Sequence, residues 1–247
     1  MRGMKATLKH ICFDLDKTLT ASRSPMEPAH QETFDRLCAQ KDVVVVTGGT
    51  LAQIREQITP RFDGRYIALA QSGNQAVDAN GEELWYEPLT DEQIRVIDAS
   101  IETLKKHFDL RVRDEGDLVE NRGALISYSV IGFHEAIDKK YAFDPGDARR
   151  SAALAALPEE VRKLRDAGIE VVPAGTTTYS FYAYGKHKGH NVARLIEKKG
   201  WKEEECLYIG DALFPGGNDE TVIGVIPTYA VQNPEETFRY IEENLVS

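Results

Sequence analysis

The sequence predicts an α/β protein: a Rossmann-like core built on a parallel sheet, interrupted by an inserted α/β domain that carries an antiparallel sheet. Three observations lead there. Short, unbroken apolar runs alternate with helical periods at the start of the chain, as in parallel sheets covered on both faces. Between about residues 84 and 184 the strands instead alternate apolar and polar positions, as in antiparallel sheets with two unlike faces. After that stretch the first pattern resumes, which marks an insertion. The core is therefore expected over residues 1–84 and 185–247, and the insert over 85–184.

The first strand covers about 9–13 and runs into DLDKT at 14–18. Residues two apart in an extended segment point the same way, so Asp14 and Asp16 face one spot beyond the strand end. Two crowded carboxylates repel and need a cation or a shared proton. A helix follows at 30–40 and a second strand at 43–46, ending in TGGT at 47–50 ahead of a helix at 50–58. That turn offers the Thr47 hydroxyl and the backbone N–H groups around Gly48 to an anion. A third strand covers 66–70.

In the insert, Thr90 and Gln93 form a candidate capping box for a helix at 91–107. Strands are expected at 117–120 and 124–131, then helical segments within 147–167, interrupted at Pro158 and closed by Gly168. Two further strands cover 169–172 and 177–184. GKHKG at 185–189 opens a helix over 187–199, with Val192, Leu195 and Ile196 setting its period and Gly200 its stop. A lysine at a helix N-terminus opposes the helix dipole, so Lys188 calls for an anion nearby. His187 and His190 lack a third ligand and read as surface residues. A strand at 206–209 runs into DALFPGGND at 211–219, before a last strand at about 224–231 and a helix at 234–245.

A net charge of −10 and a pI near 5.2 argue against nucleic acid or an anionic membrane as the main partner. The segment 1–10 precedes too short an apolar stretch for a secretory leader, and no apolar run approaches a membrane span. Cys12, Cys38 and Cys206 show no metal-ligand or disulfide spacing and read as free thiols. The expected location is cytoplasmic.

Taken together and in order, DLDKT, TGGT, GKHKG and DALFPGGND resemble the signature of the haloacid dehalogenase superfamily of phosphotransferases. The position of the insert resembles the large caps of its type IIB branch. Within it, PGGND at 215–219 and RGALISYSVIG at 122–132 resemble the eukaryotic-type phosphomannomutases and their bacterial hydrolase relatives. The resemblance implies that Asp14 is the phosphoryl-accepting nucleophile and Asp16 the general acid and base. It implies a magnesium ion held by Asp14, the backbone carbonyl of Asp16 and Asp211, with Asn218 and Asp219 close by. Thr47, Gly48 and Lys188 would hold the phosphoryl oxygens, and Arg23, Arg122 and Ser180 the rest of a small phosphorylated metabolite such as a sugar phosphate.

Three positions depart from the pattern. Phe133 stands where the mutases carry a phosphate-binding arginine, and Tyr182 where they carry a sugar-binding aspartate. Lys17 follows Asp16 where glycine is common, and reads as pointing to solvent. Lys186, Arg149 and Arg150 are the other cations available for a remote phosphate. A weakened distal site favours hydrolysis of a sugar phosphate, with sugar phosphomutase activity as the alternative. A catalytically silent binding domain is disfavoured, because Asp14, Asp16, Thr47, Lys188 and Asp211 are all present.

Overall fold

The computed structural model describes residues 8–247. Residues 1–7, on which part of the leader reading rests, lie outside them. The chain forms two compact units: one runs through Tyr86 and resumes over Lys186–Ser247, and the other is Glu87–Gly185.

The first unit opens with β1 (His10–Asp14), α1 (Pro28–Gln40), β2 (Asp42–Val46), α2 (Leu51–Ile58), β3 (Ile67–Ala70), β4 (Gln75–Val77) and β5 (Glu83–Tyr86). The second contains α3 (Asp91–Phe108), β6 (Val119–Asn121), β7 (Leu125–Ser129), α4 (Ile137–Phe143), α5 (Ala148–Ala156), α6 (Pro158–Asp166), β8 (Ile169–Ala174) and β9 (Thr178–Ala183). The first unit then resumes with α7 (Lys188–Lys199), β10 (Cys206–Gly210), β11 (Thr228–Ala230) and α8 (Pro234–Asn244).

The core sheet has the order β11-β10-β1-β2-β3-β4-β5. Strands β11 through β3 are parallel, and β4 and β5 complete it as an antiparallel edge. The unbroken apolar runs follow from burial on both faces. Ile11, Phe13, Val43 and Val45 pack with Phe34 and Leu37 of α1, Ile54 of α2 and Ile241 of α8. Cys12, Val44, Val46 and Tyr208 point the other way and pack with Val192 and Leu195 of α7. Each such side chain contributes roughly 1.5–3 kcal/mol by leaving water. This two-sided burial holds the carboxyl ends of β10, β1 and β2 side by side, where ligands bind in sheets of this kind.

The second unit has an antiparallel sheet of order β6-β7-β9-β8. Ile126 and Tyr128 of β7 and Tyr179 and Phe181 of β9 form one apolar face with Ile97, Ile101 and Leu104 of α3 and Leu164 of α6. Arg150, fully buried, is a structural tie in this unit. Its guanidinium pairs with Asp144 at 2.7 Å and with Asp147, and donates to the carbonyls of Ala174 at 2.7 Å, Thr178 at 2.6 Å and Gly175 at 3.2 Å. It knots the β8–β9 turn to α5 and is not a cation available to a phosphate.

Several elements differ from the sequence expectation. The strand expected at 224–231 shrinks to β11, since Gly224 has a φ of +87° and Pro227 immediately precedes the strand. The one expected at 117–120 starts later, because the Asp114 side chain caps a short turn by accepting the Gly116 N–H. The helical segments are interrupted at Pro158 as expected: α5 ends at Ala156 and Pro158 begins α6, where its missing N–H is harmless. The capping boxes of α2 (Thr50, Gln53) and α3 (Thr90, Gln93) are both complete.

Candidate active site

Asp14 ends β1, Thr47 follows β2 and Asp211 follows β10, so three neighbouring parallel strands deliver three of the candidate residues to one edge. Asp14 and Thr47 are buried and Asp211 is half-buried. Lys188, at the first turn of α7, is only 2% exposed, and its Nζ donates to Asp14 Oδ1 at 2.5 Å and to Asp219 Oδ1 at 2.7 Å. The anion that the helix dipole demanded is thus a pair of carboxylates.

That approach depends on glycine. A Cβ on Gly189 would stand 1.8 Å from the carbonyl oxygen of Thr221, so only glycine lets α7 come this close to the segment following Asp219. Asp219 itself is fully buried and also accepts from the Tyr208 hydroxyl at 2.6 Å and the Ala212 N–H at 3.3 Å. A Cβ on Gly210 would meet the Asp219 carboxylate at 2.4 Å. Two glycines therefore admit the aspartate that the lysine needs.

Carboxylate oxygens from Asp14, Asp211 and Asp219 lie within 4.8 Å of one another. Burial pushes the Asp14 carboxyl well above its usual range, with Asp219 and Asp211 adding to the rise and Lys188 opposing it. Burial and Asp219 raise Asp211 to about 6, against the charges of Lys17 and Lys188. Burial pulls Lys188 down, but Asp14 and Asp219 outweigh it and keep the ammonium charged. Three carboxyls with one buried lysine among them leave negative charge uncompensated. Hard oxygen donors so arranged fit magnesium.

The remaining expected residues are placed as follows. Asp16 is half-buried, outside the three-carboxylate group, and its Oδ1 accepts the backbone N–H of Arg23 at 2.7 Å. The side chain of Arg23 is on an exposed residue with a φ of +52°. Thr47 Oγ1 accepts the Gly49 N–H at 3.2 Å, beside half-buried Gly48. Asn218 is exposed, next to buried Asp219. Arg122 and Ser180 belong to the second unit, where the Arg122 guanidinium pairs with Glu120 at 2.5 Å and Ser180 is aligned with Ser127 across β7 and β9. Arg149 lies over the Phe143 ring, 4.6 Å from its centroid. Lys17 is half-buried, with a φ of +61°.

Two supporting groups escaped the sequence reading. Tyr208 looked like one more strand residue, yet its hydroxyl orients Asp219. Asn191 is fully buried and donates to the carbonyls of Ser72 at 2.9 Å and Lys186 at 3.3 Å and to Asn74 Oδ1 at 3.2 Å. Asn74 in turn donates to the Lys186 carbonyl at 3.0 Å, so the pair fixes the backbone just ahead of Lys188. An amide on the apolar side of α7, one residue before Val192, was the available signal. His187 caps that helix, its Nδ1 accepting the His190 N–H at 3.1 Å.

Comparison with known proteins adds to this geometry. A family model described as eukaryotic phosphomannomutase matches residues 30–247. A phosphomannomutase of Saccharomyces cerevisiae is 25% identical over 244 residues, covering 94% of this chain and 92% of its own. One from Schizosaccharomyces pombe is 23% identical over 243 residues, covering 94% and 93%. Among solved structures, an IMP-bound Plasmodium falciparum IMP-nucleotidase superposes with a TM-score of 0.71 at 14% identity, over 98% of this chain and 69% of that one. A haloacid dehalogenase-like hydrolase from Bacteroides thetaiotaomicron gives 0.66 at 17% identity, over 96% and 99%. At those identities the two structures establish the fold alone.

Proposed function

The chain belongs to the eukaryotic phosphomannomutase family, and from that premise we propose that it is a magnesium-dependent sugar phosphomutase working through an aspartyl phosphate on Asp14. The observation that carries this reading is the buried Asp14–Lys188–Asp219 ion-pair system beside Asp211 at the strand ends. Nothing in a merely structural site calls for so much confined charge.

In the proposed cycle a carboxylate oxygen of Asp14 attacks the phosphorus of a sugar phosphate. The bond to the sugar oxygen breaks as Asp16 gives that oxygen its proton. Asp16 then takes a proton from the second sugar hydroxyl, which attacks the aspartyl phosphate and frees Asp14. Lys188, Thr47 and Gly48 hold the phosphoryl oxygens through the transfer. Asp14, Asp211, Asp219 and the backbone carbonyl of Asp16 would hold magnesium, which when bound neutralises charge on the carboxylates and the transferred group. Tyr208 and Asn191 keep Asp219 and Lys188 in register.

The family match favours this mutase reading over the hydrolase expected from the sequence departures. Hydrolysis, with water as the second acceptor, is the second reading. Its support is specific: Phe133 and Tyr182 are both 5% exposed, apolar residues where a distal phosphate and sugar call for an arginine and an aspartate. A phosphorus NMR time course with magnesium, mannose 1-phosphate and a catalytic amount of hexose 1,6-bisphosphate separates them. Hexose 6-phosphate establishes the mutase, and inorganic phosphate alone establishes the hydrolase. No turnover beyond that of Asp14→Asn would sink both.

A further inference from the structure

Between β3 and β4 the chain takes three left-handed conformations in a row, with φ of +55° at Gln71, +61° at Ser72 and +87° at Gly73. The Cβ atoms of the glutamine and the serine disfavour that conformation. A strained residue persists only where its surroundings impose it. Two backbone bonds do so here: the Gln71 N–H donates to the Gly49 carbonyl and the Ser72 N–H to the Thr47 carbonyl, both at 2.8 Å. The carbonyls on either side of Gly48 are thus held from the end of the neighbouring strand.

The other side of the same turn holds α7. The Ser72 carbonyl accepts from Asn191 at 2.9 Å, so one residue gives its N–H to the Thr47 turn and its carbonyl to the helix of Lys188. Buried Asn74 bridges in parallel, donating to the carbonyls of Gln71 at 2.9 Å and Lys186 at 3.0 Å. The Gly73 carbonyl accepts from the Trp85 indole at 2.8 Å, so every backbone carbonyl from Gln71 to Gly73 is engaged. Glycine closes the fit, since a Cβ on Gly73 would stand 2.4 Å from the Asn191 Cβ.

We propose that the Gln71–Asn74 turn is the positioning element of the phosphoryl pocket, setting the Thr47–Gly49 turn and the start of α7, and with them Thr47 and Lys188, at the spacing that phosphoryl transfer requires. This rests on the phosphoryl-transfer reading above. Two groups that grip one phosphoryl group from separate elements must be fixed against each other before the substrate arrives, and a misplacement of about 1 Å can cost about a hundredfold in rate. A site built for transfer grips the transferring group more tightly than the resting one. Lost registration therefore weakens a mimic of the transferring group more than it weakens phosphate, whereas a merely structural turn changes neither in a folded protein.

The test is calorimetric titration of the full chain at saturating magnesium, with inorganic phosphate and separately with orthovanadate, which takes up the five-coordinate geometry of a phosphoryl group in transfer. Asn74→Ala removes the bridge to Lys186, and Gly73→Ala wedges the turn away from α7 while keeping every side-chain donor. In each, the vanadate dissociation constant is expected to rise by about tenfold or more and that for phosphate by no more than about threefold. The Gln71 and Ser72 amides should exchange faster in both variants, and in the native protein vanadate should slow them. Leu37→Ala, a truncation in the core on the opposite face of the sheet, should lower the urea midpoint and keep the native ratio of the two constants. A native ratio in both turn variants, or native amides that vanadate leaves unchanged, would overturn the role of the turn and leave the enzyme reading standing. A native protein that binds neither anion would overturn both.

Discussion

Replacing Lys188 by Met isolates the charge balance of the site, since the stem is retained and only the ammonium is lost. Asp14 and Asp219 are 4% and 0% exposed, and each gives one oxygen to Lys188. Removing one partner of a buried ionic group costs about 3–5 kcal/mol. An independent route gives the same size. The simplest escape is for one carboxyl to take up a proton, which at pH 7 costs ~1.4 kcal/mol for each of the ~3 pH units separating it from an ordinary aspartate pKa, or ~4 kcal/mol. The loss should therefore shrink by ~1.4 kcal/mol per unit of acidification, to ~1.5 kcal/mol at pH 5. In the native protein Lys188 is raised above its ordinary value, so its contribution is complete below about pH 10.5 and is lost only as pH climbs through the raised pKa. Urea unfolding in EDTA at several pH values is the assay. Both tryptophans, Trp85 and Trp201, lie in the first unit, so their fluorescence follows the relevant transition. A loss below about 1 kcal/mol at pH 7, or one that ignores pH, would refute the claim that Lys188 neutralises two buried carboxylates.

Asp14→Asn should abolish turnover of any phosphate ester while leaving the urea midpoint within about 1 kcal/mol of native or above it, because a repelling carboxylate is removed; residual activity comparable to native would reject the nucleophile. Magnesium affinity should fall as pH drops below about 6, where Asp211 takes up a proton that a metal must displace; calorimetry at pH 5 and pH 7.5 checks it, and equal affinities would remove Asp211 from the metal site. Arg150→Met should destabilise the second unit by about 3–5 kcal/mol, read as faster hydrogen exchange of the β8 and β9 amides. Burial raises the Asp144 carboxyl, but Arg150 and the backbone N–H groups of Arg149 and Arg150 outweigh it and hold it below the usual range. Its share of that stability is therefore present above about pH 3.9 and fades as pH falls through the lowered native value, which exchange at pH 3 against pH 6 would show.

The sequence by itself determined the architecture and the chemical cast. Unbroken apolar runs specify strands buried on both sides, because a strand cannot be apolar at every position unless both faces leave water. Period-two geometry placed Asp14 and Asp16 at one strand end, and the glycines after β10 marked a loop that carries Asn218 and Asp219. Local rules of this kind reach a few residues, so they also found the capping box of α3, though the one at Thr50 and Gln53 went unread. They could not find β4 and β5, three and four residues long, or α4, which buries no residue and shows no period.

What only the tertiary structure decided is which charge answers which. Lys188 and Asp14 are 174 positions apart, and no spacing rule links them. Their contact depends on α7 closing onto the Asp219 segment through Gly189, which the packing of Val192 and Leu195 against the sheet brings about. The same holds for Arg150, which the sequence offers as a cation for a remote phosphate and the fold encloses fully. A charged residue's role is set by the partners that remain once water is removed, and those partners come from everywhere along the chain.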